Sequence, residues 1–153
     1  METKPIEEVF VTRSSEETQN IGKKLGEKLS GHTIITLHGE LGAGKTTFVQ
    51  GVAKGLGITK RIISPTFVII RTYELTNRGQ LKNFYHIDLY RLENKHAIEG
   101  LGVEEQMSEK DNILVIEWAE RLGDLLAKKR IDITFTYVDE NTREIKMEYI
   151  GGV

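Results

Sequence analysis

Gly39-Glu40-Leu41-Gly42-Ala43-Gly44-Lys45-Thr46 is the stretch that decides the fold. It follows the phosphate-loop pattern G-x-x-x-x-G-K-[ST] without a mismatch, and each part of the pattern has a physical task. Glycines let successive backbone N–H groups turn inward around a polyphosphate, in torsions that a Cβ would forbid. Lys45 brings a mobile positive charge to the β/γ-phosphates, and the Thr46 hydroxyl is placed to ligate Mg²⁺. A helix beginning here would aim its positive end at the same anion.

The flanks give the motif its required setting. Upstream, Thr33-Ile34-Ile35-Thr36-Leu37-His38 is β-branched and apolar, the composition of a buried strand. Downstream, Phe48, Val49, Val52, Ala53 and Leu56 recur with a helical period, and Gly57 stands where a C-cap glycine belongs. Strand, glycine loop and helix in that order predict a nucleoside triphosphate site. The candidate contacts are Glu40, Leu41, Gly42, Ala43, Gly44, Lys45, Thr46 and Thr47.

The 153 residues suffice for one domain with a proper core and not for two, so residues 1–153 are read as a single domain. There is no cysteine, which excludes disulfides, thiolate metal sites and a cysteine nucleophile. No apolar run approaches the ~18 residues of a membrane span. Met1-Glu2-Thr3-Lys4-Pro5 has none of the basic and apolar character of a signal peptide, so a cytoplasmic protein is expected. The net charge of −2 gives no global attraction to nucleic acid. It is unevenly spread: residues 54–91 carry seven Lys/Arg against two Asp/Glu, and residues 92–124 carry three against nine. The two stretches are either two solvated faces or surfaces that steer partners of opposite sign. Neither has the interleaved basic and aromatic residues of a nucleic-acid groove.

Along the chain, residues 7–12 read as a short strand, followed by a helix capped by Ser14 or Ser15 and reaching about Ser30. Ser64-Pro65-Thr66-Phe67 ends a loop in which proline excludes helical torsions at Ser64. Residues 67–75 and 81–89 form a predicted hairpin, and 95–107 one or two helical turns broken near Gly100-Leu101-Gly102. Asn112-Ile113-Leu114-Val115-Ile116-Glu117-Trp118 is the most apolar strand candidate, expected to be central and parallel. A helix over about 119–129 and a second hairpin, 130–138 with 143–150, complete the prediction. It is an α/β fold with a central parallel sheet, antiparallel hairpin strands and flanking helices.

A phosphate loop also needs an acidic group for Mg²⁺ and something to position water. Glu117 follows four buried-type residues at a strand end, and Asp88 ends Phe84-Tyr85-His86-Ile87-Asp88; both are expected in the site. Thr66 stands where a γ-phosphate or Mg²⁺ sensor is found in switch proteins, or in a plain turn. Trp118 belongs either to the core or to the wall of the nucleotide site. His38 and His86 are expected to be structural, with neutral rings bonded to backbone, and Arg91 either reaches a phosphate or stays on the surface. Four scattered histidines make no metal cluster.

Four segments in this order resemble the bacterial TsaE (YjeE) family: residues 39–46, Ser64-Pro65-Thr66-Phe67, His86-Ile87-Asp88-Leu89-Tyr90-Arg91 and Glu117-Trp118-Ala119-Glu120. The first is shared by very many NTPases; the four together are specific and span nearly the whole chain. The resemblance implies a P-loop ATPase needed to make threonylcarbamoyladenosine (t6A) in tRNAs that read codons starting with A. It implies binding to the TsaD–TsaB heterodimer, which performs the transfer, and ATP hydrolysis that is weak alone and resets the complex between turnovers. By the same resemblance Lys45 and the loop amides bind ATP phosphates, and Thr46 and Asp88 serve Mg²⁺. Thr66 is then the switch residue, and Glu117 a catalytic or metal-associated carboxylate.

Three rivals share the phosphate loop. A small-molecule kinase needs an acceptor pocket and an arginine-bearing lid, and 92–112 is acidic instead. A switch GTPase commonly selects guanine with N-K-x-D, and Asn94-Lys95-His96-Ala97 lacks the aspartate. A non-hydrolysing, nucleotide-dependent binding module differs from the ATPase only in turnover. The base-contacting residues are left open between the first helix, near Thr18, and the surroundings of Trp118.

Overall fold

The first strand, β1 (Ile6–Thr12), leads into α1 (Ser15–Lys28), which is capped by Ser14: its side chain accepts the Glu17 N–H. The buried hydroxyls of Thr12 and Thr18 meet at 2.7 Å and tie the first turn of α1 to the strand before it. β2 (Thr33–Gly39) delivers the chain to the glycine loop, and α2 (Lys45–Gly55) leaves it. Gly57, at φ +85°, ends α2 in a Schellman motif: Ile58 N–H bonds Ala53 O and Gly57 N–H bonds Lys54 O. The computed structural model describes residues 6–40, 43–63, 69–92 and 95–151.

Next come the hairpin β3 (Ile70–Glu74) and β4 (Asn83–Asp88), the short helices α3 (Lys95–Glu99) and α4 (Val103–Ser108), and β5 (Asn112–Glu117). β6 (Arg130–Tyr137) and β7 (Arg143–Ile150) close the fold. The strands form one sheet in the order β1-β7-β6-β2-β5-β4-β3. β2, β5, β4 and β6 run parallel, and β3, β7 and β1 pair antiparallel. The expected fold class is therefore the observed one. All six residues of β5 are buried between two parallel neighbours, which accounts for its continuous apolar sequence.

The expected helix over 119–129 is not formed. Ala119–Leu125 is 3₁₀, entered through a left-handed Trp118 (φ +61°) and kinked at Gly123 (φ +55°, ψ −125°). Two left-handed residues five apart leave no room for an α-helical ladder. Leu122 nonetheless packs with Ile98, Val103 and Ile116 beneath the sheet.

The other face carries the larger core, built on Phe48, Val52, Phe84, Val115 and Ile133 against α1 and α2. These two helices touch backbone to backbone. Gly22 and Gly26 of α1 face the carbonyls of Phe48 and Val52, and Gly51 and Gly55 of α2 face those of Gln19 and Lys23. A Cβ at any of the four would enter the opposing carbonyl oxygen. The contact brings the N-termini of both helices to the same end of the sheet. Arg78, in the β3–β4 turn, donates to Gly26 O (2.7 Å) and Leu29 O (3.2 Å), satisfying carbonyls at the C-terminus of α1.

Gly51→Ala should destabilise the fold by about 1–3 kcal/mol, the range for overpacking, because the obstacle is backbone. Gly31→Ala, where no atom lies within 4 Å of the added Cβ, should leave the melting temperature unchanged. Thermal denaturation of the two variants checks this. Equal melting temperatures would contradict the close helix crossing.

Candidate nucleotide site

The loop leaves β2 at Gly39 (φ +140°), where a Cβ would press on Phe135 of β6. Ala43 N–H returns to Glu40 O at 3.1 Å, and the loop ends at Gly44, a left-handed N-cap (φ +97°) with no side-chain capping bond. The helical ladder begins with Phe48 N–H to Gly44 O. The N–H groups of Lys45, Thr46 and Thr47 precede it, donors that helix geometry leaves outside the ladder and aims along the axis.

The parallel register sets the acidic side. Asp88 and Glu117 are direct partners across β4 and β5, and Glu117 also pairs with Leu37 of β2, two residues before Gly39. Both carboxylates point to the α2 face, and each residue is only 8% exposed. Lys45 Nζ donates to Gly39 O at 2.9 Å and stands 3.9 Å from Glu117 Oε1. Burial pushes the Asp88 carboxyl above the usual range; the Tyr90 N–H bond to its Oδ1 (2.9 Å) opposes this, and the neighbouring Glu117 adds to it. Two like charges on partly buried neighbouring strands favour the arrival of a cation. Among the described residues no three His, Asp or Glu side chains converge as a metal site. A pair of carboxylates beside a phosphate cradle suits Mg²⁺, which keeps waters and takes its remaining ligands from phosphate.

Thr46 is exposed at the mouth of α2, beside the site. Leu41 and Gly42, and Ser64, Pro65 and Thr66, lie outside the described residues. Trp118 is not core: its ring is partly exposed, packs on Tyr90 at 5.0 Å and lies under the Arg121 guanidinium at 5.3 Å. Arg91 is on the surface.

The histidines depart from expectation. His86, fully buried, bonds the Glu117 Oε2 at 3.0 Å, not backbone. His38 Nε2 meets the Thr36 hydroxyl at 2.8 Å, and that hydroxyl donates to Asp132. The signal for His86 was present in the sequence: two residues before Asp88 on one strand is the same face.

Near Thr18, one of the two places left open for base contacts, the structure holds a pocket whose β6–β7 wall has no sequence signal. A polar pocket of about 170 Å³ adjoins the loop on the side of Thr47, lined by Ser14, Ser15, Thr18, Gly44, Glu140, Asn141 and Arg143 among others. The β6–β7 turn forms its far wall. Asp139 Oδ1 accepts the N–H groups of Asn141 and Thr142, and Arg143 donates to the carbonyls of Asp139 and Thr142. A turn about a hundred residues from the loop offers no periodicity by which to foresee that contact.

Comparison with known proteins agrees with this geometry. The family model "Threonylcarbamoyl adenosine biosynthesis protein TsaE" matches residues 12–145. The tRNA threonylcarbamoyladenosine biosynthesis protein TsaE of Nostoc sp. is 42% identical over 135 residues, 86% of this chain and 80% of its own. The protein of that name from Bacillus subtilis is 39% identical over 140 residues, 92% of this chain and 84% of its own. The crystal structure of Bacillus subtilis YdiB superposes with a TM-score of 0.79 at 32% identity, covering 98% of this chain and 90% of that one. With the matched model spanning strands β2 to β6, the phosphate loop and both strand-end carboxylates, the chain belongs to the TsaE family.

Proposed function

We propose that this protein is a Mg²⁺-dependent ATPase of t6A biosynthesis that works with the TsaD–TsaB pair. The observation that supports this most is the convergence of Lys45, Asp88 and Glu117 beside the free N–H groups of α2. Lys45 and those N–H groups hold the β- and γ-phosphates. Bound Mg²⁺ supplies charge neutralisation at the phosphates, and the Thr46 hydroxyl, Asp88 and Glu117 are the residues that would hold it. Glu117 accepts a hydrogen bond from the attacking water and orients it toward the γ-phosphorus, so that ATP and water give ADP and phosphate.

The polar pocket beside Thr47 takes the ribose and base. Its β6–β7 wall lies on one side of β2 and the carboxylate strands β5 and β4 on the other, which suits a nucleotide whose terminal phosphate reaches Lys45. This favours the Thr18 side over the Trp118 side. One ammonium and two strand-end carboxylates make a slow hydrolase, and the family role has the TsaD–TsaB pair complete the site, with Thr66 as the switch residue. The acidic character of 92–112, which holds no arginine, fits a kinase lid poorly, since such a lid carries arginine to the transferred phosphate.

Three variants test the assignments. Lys45→Ala should weaken ATP binding by ~10–100-fold, the value of a charge-assisted contact, in calorimetric titration. Glu117→Gln should bind ATP normally and lose about 100-fold or more in single-turnover hydrolysis; normal turnover would remove Glu117 from the chemistry. Asp88→Asn should raise the Mg²⁺ concentration needed for binding, and an unchanged requirement would take Asp88 out of the metal site. For the pocket, Ser15→Phe should weaken ATP while leaving inorganic tripolyphosphate bound as before. Equal loss of both would place the base elsewhere.

A further inference from the structure

His86 has no task in the chemistry proposed above, yet its position is demanding. The side chain is fully buried in the sheet's α2 face, one strand from Glu117 and two residues before Asp88. Its Nε2 lies 3.0 Å from Glu117 Oε2. A carboxylate oxygen accepts, so Nε2 carries the hydrogen and donates. Nδ1 is also buried and has no hydrogen-bond partner among the described residues. A leucine of similar volume would fill this place beside Phe84 and Val115 without an orphaned nitrogen, so packing does not explain the imidazole.

The bond to Glu117 does. The terminal torsion of a glutamate is broad and roughly two-fold, so a carboxylate at a strand end is not oriented by its own chain. The two oxygens of Glu117 are differentiated: Oε2 is held by His86, and Oε1 faces Lys45 at 3.9 Å. We infer that His86 is the positioning residue for Glu117, fixing the plane of the carboxylate so that Oε1 is presented to the phosphate loop. Fully buried, it acts through the carboxylate, as outer hydrogen bonds orient the ligands of metal sites. The inference rests on the turnover role proposed for Glu117.

Reach separates this from a packing role. A glutamine at position 86 places its amide nitrogen near the site of Nε2, whereas an asparagine places it near Nδ1, short of Glu117. Both are neutral amides, so a general loss of stability falls on both and the comparison between them survives. We would measure single-turnover ATP hydrolysis, the KM for ATP and the Kd of a fluorescent ATP analogue for His86→Gln, His86→Asn and Glu117→Gln. The expected result is a ~10–100-fold lower rate for His86→Asn with KM and Kd unchanged, and recovery to within a few-fold of the native rate in His86→Gln. Equal rates for the two amides, with Glu117→Gln inactive, would overturn the positioning role and leave Glu117 in place. A fully active Glu117→Gln would instead remove the reading of Glu117, and this inference with it.

Discussion

Asp88 and Glu117 face each other across neighbouring parallel strands, and the rest of the site is arranged around that unfavourable pair. Paired strand positions lie within about 5 Å, where like charges directly opposite are destabilising, and here both residues are largely shielded from water. The surroundings answer with positive and hydrogen-bonding groups: Lys45 toward Glu117 Oε1, the His86 N–H toward Oε2, and the Tyr90 N–H toward Asp88. The Asp88 carboxyl still titrates above its usual range, chiefly from burial, with the neighbouring Glu117 a smaller cause.

What fixes the phosphate loop beside that pair is helix packing. The glycines at positions 22, 26, 51 and 55 let α1 and α2 meet at backbone contact, a separation at which Cα–H groups approach carbonyls. Because α2 starts at the phosphate loop, its alignment with α1 carries Ser14, Ser15 and Thr18 to the edge of the loop. The buried Thr12–Thr18 hydroxyl pair and the Arg78 bonds at the other end of α1 hold that alignment from both sides. Under the proposed function, the helix crossing leaves room for the nucleotide's non-phosphate half at the polar pocket, and the sheet register sets the carboxylates on the other side of the loop.

The sequence made the strand–loop–helix unit legible because its requirements are local: glycines at the loop, a β-branched run before it and a 3.6-residue period after it. Glu117 and Asp88 were legible as strand ends, although the chain alone could not show that they are register partners. The segment after Trp118 was misread because its apolar residues have a plausible helical spacing. The left-handed torsions of Trp118 and Gly123 decide against the helix, and a torsion at tryptophan leaves no compositional trace. For His86 strand alternation shows the face it shares with Asp88, but nothing local names Glu117, 31 positions away, as its partner. The pocket wall at Glu140 and Asn141 depends on the sheet folding β7 back beside β6, a long-range event that local patterns do not encode.

On the proposed function, one ammonium, two strand-end carboxylates and a helix N-terminus form an ATP-hydrolysing site that a partner completes. The most direct measurement is Mg²⁺-dependent ATP turnover by the protein alone and with the purified TsaD–TsaB pair. The account predicts a slow rate alone and strong stimulation by the pair, lost when Lys45→Ala replaces the native chain. Equal rates with and without the pair would contradict it.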